Sequence, residues 1–284
     1  MRYRFLRFPE GKTKAVTFSY DDGVKSDIRL AEIFDKYGMK GTFNINSRSL
    51  AKGDKLSVED VKERLLARGH EVAVHGEKHI APASVRPISA MKEVLFGRLG
   101  LEELLDTTIR GMAYPDSGIK REQNGNSAEA VKAQLCDMDI AYARSLGGDN
   151  NSFALPTDWH EWIPTAHHDN SKILEYIDEF LAQDVEHGYC SNLWPRLFYI
   201  WGHSFEFDRK NNWEHIEEIC KRLSGKEDTW YATNIEIYDY VKAYESLIIS
   251  ADGSRVYNPT LIKVWFNDDG VLYSVGPGEH IRVE

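Results

Sequence analysis

The sequence predicts an α/β fold, a (β/α) barrel of about seven units followed by a small C-terminal β extension. Strand-like and helix-like periods alternate from near residue 14 to about residue 246, the order expected of a parallel sheet covered by helices. Polar residues able to do chemistry fall at the C-terminal ends of several predicted strands, which is where barrels carry function. Beyond residue 246 the alternation stops and short strands separated by turn residues take over. The chain is therefore expected to divide into a barrel, 1–246, and an extension packed on it, 247–284, with no low-complexity linker and no internal repeat.

Taken in order, the run 14–18 predicts a strand, 27–37 a helix, 41–46 a strand and 57–67 a helix, in which Ser57 and Asp60 have the spacing of a capping box. Residues 71–75 read as the third strand. The segment 88–107, rich in Leu, Met and Glu at helical spacing, reads as a long helix, 110–114 as a strand and 128–136 as a helix. A further strand is expected over 140–144, then a loop over 147–156 tipped by Gly147-Gly148-Asp149-Asn150-Asn151. Helices over 170–186, 213–223 and 235–246 alternate with strands over 197–201 and 229–232. In the extension, 247–249, 255–257, 261–266, 271–275 and 281–283 read as short strands, with turns at Ala251-Asp252-Gly253 and Asn267-Asp268-Asp269-Gly270.

Bulk properties narrow the function. With 45 acidic and 35 basic residues the net charge is -10, and no basic patch stands out, so nucleic acid is not expected as a partner. Cys136, Cys190 and Cys220 are odd in number and far apart, which predicts buried free thiols rather than disulfides or a zinc ribbon. No apolar run approaches the roughly eighteen residues needed to span a bilayer, so no membrane partner is expected. The basic start, Met1 to Gly11, lacks the apolar stretch of a secretory signal. A cytoplasmic location is the expectation, or a secreted one if a signal has been removed.

The chemistry concentrates in two strand ends. Thr17-Phe18-Ser19-Tyr20-Asp21-Asp22-Gly23 delivers two adjacent carboxylates onto a glycine turn, and Val72-Ala73-Val74-His75-Gly76-Glu77-Lys78-His79 ends in two histidines four apart. Either pattern alone has an ordinary structural explanation, as a turn or a helix face. Together they supply an oxygen ligand, two imidazoles and a spare carboxylate, the requirement for metal-activated hydrolysis. Asp22, His75 and His79 are the expected ligands, zinc the metal favoured by their type, and Asp21 the general base. His203, just past the strand ending at Trp201, could protonate a leaving group.

These segments, with Met112-Ala113-Tyr114-Pro115, Asp158-Trp159 and Trp201-Gly202-His203, resemble the ordered motifs of polysaccharide deacetylases, the NodB-homology group or carbohydrate esterase family 4. The resemblance spans residues 12–245. It implies a distorted (β/α) barrel and metal-dependent hydrolysis of N- or O-acetyl groups on a carbohydrate substrate. It further implies Asp21 as base, Asp22, His75 and His79 as metal ligands, His203 as acid, Asp158 as the residue tuning His203, and Trp159 as a wall of the sugar site. An oxyanion would be held by the metal and a backbone N–H of the turn from Tyr114 to Asp116.

Two departures from that pattern stand out. Gly76 replaces a Ser or Thr that fixes the loop, and Ala113 and Asp116 replace the arginine and tyrosine of the third motif. Arg144, at the end of the next predicted strand, is expected to supply the missing cation for Asp21. Trp201, with Trp159, is expected to stack on sugar rings. The pair His167-His168 reads as a helix entry rather than as ligands, and His70, His187, His215 and His280 read as solvated. Two alternatives remain, an allantoinase-like hydrolase of small amides or cyclic ureides, and a non-catalytic carbohydrate-binding relative.

Overall fold

The computed structural model describes residues 3–146, 148–187 and 193–284. Gly147 of the turn-rich tip, Cys190 and the first two residues lie outside them. The described elements are, in chain order, β1 (Arg4–Arg7), β2 (Lys14–Asp21), α1 (Ser26–Tyr37), β3 (Gly41–Ile45), α2 (Val58–Asp60), β4 (Glu71–Val74), α3 (Pro87–Leu105), β5 (Gly111–Ala113), α4 (Ala128–Asp137) and β6 (Tyr142–Arg144). Then follow β7 (Ala166–His167), α5 (Ile173–Leu181), β8 (Arg196–Gly202), α6 (Phe205–Lys210), α7 (Trp213–Leu223), β9 (Thr229–Tyr231) and α8 (Asn234–Glu245). The chain closes with β10 (Ile248–Ile249), β11 (Arg255–Tyr257), β12 (Val264–Asp268), β13 (Val271–Val275) and β14 (His280–Arg282).

Seven parallel strands run in the order β6-β5-β4-β3-β2-β8-β7, and β9 pairs with the first half of β2 below β3. Every residue of β2 is buried, as expected of a central parallel strand covered on both faces. The sheet curls into a distorted barrel, and one extended segment joins its edges. Trp162 exchanges backbone bonds with β6, its N–H donating to the Ala143 carbonyl (3.0 Å) and its carbonyl accepting from Ser145 (2.9 Å). Three residues on, the Thr165 N–H donates to the Tyr199 carbonyl of β8 (2.8 Å).

Several elements differ from the sequence reading. The helix expected over 57–67 starts with a full capping box at Ser57 and Asp60, but α2 passes directly into a π-turn, Val61–Leu65, and a 3-10 turn, Leu66–Arg68. The helix expected over 170–186 is shorter, because α5 spans only Ile173–Leu181. Strand β1 has no counterpart in the sequence reading; it pairs antiparallel with β12, which pairs with β13. Cys136 is exposed whereas Cys220 is buried. His70, expected in solvent, is buried; its Nδ1 accepts from the Gly41 N–H (3.2 Å), and burial pushes it down to about pKa 4. Among the described residues no helix is long and apolar enough to cross a membrane.

Candidate active site

The strand ends deliver the predicted groups to one rim. Asp21 is the last residue of β2, Asp22 follows it in the left-handed region (φ 82°), and Gly23 completes the turn (φ 59°). His75 follows β4, and His79 also has a positive φ of 65°. Non-glycine residues held in this region cost free energy and cluster at functional sites. Here they separate Asp21 from Asp22, so the two carboxylates face different partners.

Asp22 Oδ1 lies 3.6 Å from His79 Nε2 and 4.0 Å from His75 Nε2. The His75 Nδ1 lies 2.9 Å from the Ala113 carbonyl, which can only accept, so Nδ1 carries the hydrogen and Nε2 turns a lone pair toward the carboxylates. Burial lowers the pKa of His75 and keeps the ring neutral, the ligating form. One carboxylate oxygen and two imidazole nitrogens within reach of a common point fit a divalent ion with open positions for water or substrate.

Asp21 is buried and fully engaged. Its Oδ1 accepts from Asn44 Nδ2 (2.8 Å) and its Oδ2 from Arg144 Nη2 (2.5 Å). Burial by itself would push the carboxyl up, but the Arg144 guanidinium, helped by the charge of His203, outweighs it and holds Asp21 below the usual range. Arg144 is itself fully buried, and its guanidinium sits over the Trp201 ring at 4.5 Å. Arg144 and Ala113 are register partners on neighbouring strands. The cation absent at Ala113 therefore arrives one strand over at the same height.

His203 Nε2 stands 4.0 Å from Asp21 Oδ2 across the rim. Its Nδ1 is 3.0 Å from Glu206 Oε1, three residues later on α6. Burial favours the neutral ring, but the bond to Glu206 and the charge of Asp21 prevail, so His203 keeps its proton to higher pH than a free imidazole. Glu206 was not anticipated; a carboxylate three residues after a strand-end histidine was its only trace in the sequence.

The turn after β5 contributes Asp116, whose Oδ2 lies 3.6 Å from His79 Nδ1. Tyr114 turns inward, its buried ring donating from the hydroxyl to the His160 carbonyl (2.8 Å). Asp158 does not join His203. It caps the turn Trp159–Glu161, binds Lys132 Nζ (2.9 Å), and lines a separate cavity with Asp149, Leu155 and Glu161. Trp159 is packed edge-on against Trp162 and Tyr238 in the core. Trp201, by contrast, stands among Arg144, His167 and His203.

The loop bearing His79 is held by Glu93 of α3, another residue the sequence did not reveal. Its buried carboxylate accepts from the N–H groups of Lys78 (2.7 Å) and Ile80 (3.1 Å). A side chain at Gly76 (φ 78°) would meet that carboxylate at 2.5 Å, so glycine and Glu93 serve together where a loop-fixing hydroxyl was expected.

A family model, "Polysaccharide deacetylase", matches residues 9–156, just over half of the chain. The chain belongs to the polysaccharide deacetylase family. Solved structures share the fold of this deacetylase-family barrel at low identity. A Mycobacterium smegmatis protein provisionally described as a polysaccharide deacetylase is 18% identical, with 84% of this chain and 94% of that one covered at a TM-score of 0.57. The Xyl-CE4 domain of a multidomain xylanase from the hindgut metagenome of Trinervitermes trinervoides gives 14%, 81%, 92% and 0.53. Peptidoglycan deacetylase PdaC of Bacillus subtilis, solved as a point variant, gives 17%, 84%, 96% and 0.50. No curated protein sequence matches significantly.

Proposed function

We propose that the protein is a metal-dependent hydrolase that removes acetyl groups from a carbohydrate. The observation that carries this reading is the juxtaposition, on one rim, of the Asp22, His75 and His79 donors with the Asp21–Arg144 pair and the protonated side of His203. Asp22, His75 and His79 would hold a divalent ion, zinc being favoured by two imidazoles and one carboxylate. When bound, such an ion polarises an acyl oxygen and acidifies water.

The chain's own groups supply the proton transfers. Asp21, ionised and fixed by Arg144 and Asn44, takes the proton of the attacking water. His203 gives its Nε2 proton to the departing amine or alkoxide, and Glu206 fixes the ring and stabilises its charged form. In the turn after β5, the Tyr114 N–H is committed to the Arg144 carbonyl and Pro115 has none, which leaves the Asp116 N–H as the donor for an oxyanion.

At Asp22 and His79 lies an open depression of about 570 Å³ whose lining sets Arg48, Lys52, Lys55 and Lys78 against the carboxylates of Asp22 and Glu77. In a chain of net charge -10, that local excess of cations favours an acetylated oligosaccharide carrying negative charge. The test is acetate release from neutral and acidic acetylated oligosaccharides at low and high salt, with and without chelator. Release abolished by chelation and restored by zinc, with salt-sensitive preference for the acidic substrate, is the expected result. Release that ignores the chelator rejects the reading.

A further inference from the structure

We infer that the protein has a second divalent-cation site, built from His168, Asp169 and Glu206 behind His203. His168 is completely buried, with its ring stacked parallel to Tyr20 (centroids 5.7 Å apart, planes 6° apart) and against Phe207 at 4.3 Å. Gly202 leaves room for it, since a side chain there would overlap the imidazole. Among the described residues, neither nitrogen of His168 makes a hydrogen bond of proper geometry, and neither does the buried Oε2 of Glu206. Burying such atoms without a well-aligned hydrogen bond is costly. The ring nonetheless aims Nε2 between two carboxylates, 3.1 Å from Glu206 Oε2 and 3.3 Å from Asp169 Oδ2.

Those separations suit ligands of one ion. Donors about 2.1 Å from a common metal stand about 3.0 Å apart along an octahedral edge and about 3.4 Å along a tetrahedral one. A neutral imidazole can donate its single Nε2 hydrogen to only one of the two oxygens, whereas an ion satisfies all three atoms. His167 lies in the same cluster but is not a ligand. Its Nδ1 accepts from the Asp169 N–H (3.1 Å), which puts the ring hydrogen on Nε2, facing Glu206 Oε2 at 3.3 Å. One imidazole and two carboxylates with a partly open mouth favour zinc or a similar first-row ion.

Lys210 bonds to the same Asp169 oxygen, but its side chain is half exposed, so an arriving cation competes with an ammonium free to turn into solvent. Glu206 would then serve two sites, Oε2 on the ion and Oε1 on His203. The existence of the site does not depend on the deacetylase reading; only this coupling does.

The test counts metal. Metal-stripped full-length protein is dialysed against zinc and bound metal is measured by mass spectrometry. Wild type is expected to hold two ions per chain, the double variant Asp22→Asn/His79→Gln one, and Asp169→Asn one. Lys210→Ala, an exposed change that leaves the fold intact, should tighten the weaker site by up to about fivefold. One ion in wild type, none in the double variant, and a single-site isotherm for Lys210→Ala would overturn the proposal.

Discussion

Arg144 and Asp21 are both almost fully shielded from water, and a buried ion pair survives only if its members are well matched. Two nitrogens of the guanidinium, Nε and Nη1, have no hydrogen-bond partner among the described residues, so Arg144 gives up bonds to hold one carboxylate from below. That expense makes sense if the direction of Asp21 matters more than stability. Arg144→Ala should therefore lower kcat by roughly 100-fold or more while zinc content stays at the wild-type level. It should also cost about 3–5 kcal/mol in unfolding free energy, because Asp21 is left buried and uncompensated. Turnover in steady state, metal analysis and denaturant unfolding check the three parts; near-wild-type turnover would remove Arg144 from the mechanism. The sequence allowed this pairing to be anticipated because both residues end strands, and a parallel sheet brings strand ends to one rim whatever separates them along the chain.

At the scale of elements, α3 decides how the second histidine is presented. Gly97 lets the helix approach so closely that a side chain there would collide with the backbone of Gly76, and Glu93, one turn earlier, binds the loop N–H groups of Lys78 and Ile80. Glu93→Ala should release the His79 loop and weaken zinc binding by roughly 10–100-fold, with His75 and Asp22 still in place. Competition against a chelator of known affinity measures it, and unchanged affinity would show that the loop holds itself. Neither Glu93 nor Glu206 was legible beforehand. A glutamate on a helix looks like a solvated charge until packing turns it inward, whereas Asp21, Asp22, His75 and His203 stand at or just past the ends of apolar strands, with His79 four residues beyond His75. The Asp158-Trp159 segment shows the reverse: its residue types match a motif, but local capping and the Trp162–Tyr238 core claim both side chains.

The whole molecule ties its ends together. Strand β1 lies against β12, and the Tyr240 hydroxyl of α8 donates to the Arg7 carbonyl (2.7 Å) and accepts from the Trp265 N–H (2.9 Å). Val256, Val264, Phe266, Val275 and Val283 form their own buried cluster beneath α8. A chain ending at Ser246 would strand β1 and expose that side of α8. It should lose cooperative thermal unfolding, whereas Phe266→Ala in the full chain should unfold cooperatively with a loss of about 3–5 kcal/mol. One source of the chain's dependence on pH is His70. This residue is pinned between Phe34 and Phe43, accepts from the Gly41 N–H through Nδ1, and has a pKa of about 4 against 6.5 for a free imidazole. Between those values the unfolded chain takes up a proton that the folded chain refuses. Stability contributed by neutral His70 is therefore present above pH 6.5 and is lost as pH falls toward 4, by up to about 3 kcal/mol. His70→Asn, which keeps an acceptor near the Gly41 N–H but does not titrate, should be less stable than wild type at pH 8 yet lose less on acidification. Urea unfolding at pH 8, 6 and 5 gives the comparison, and parallel pH profiles for the two proteins would assign the acid sensitivity elsewhere.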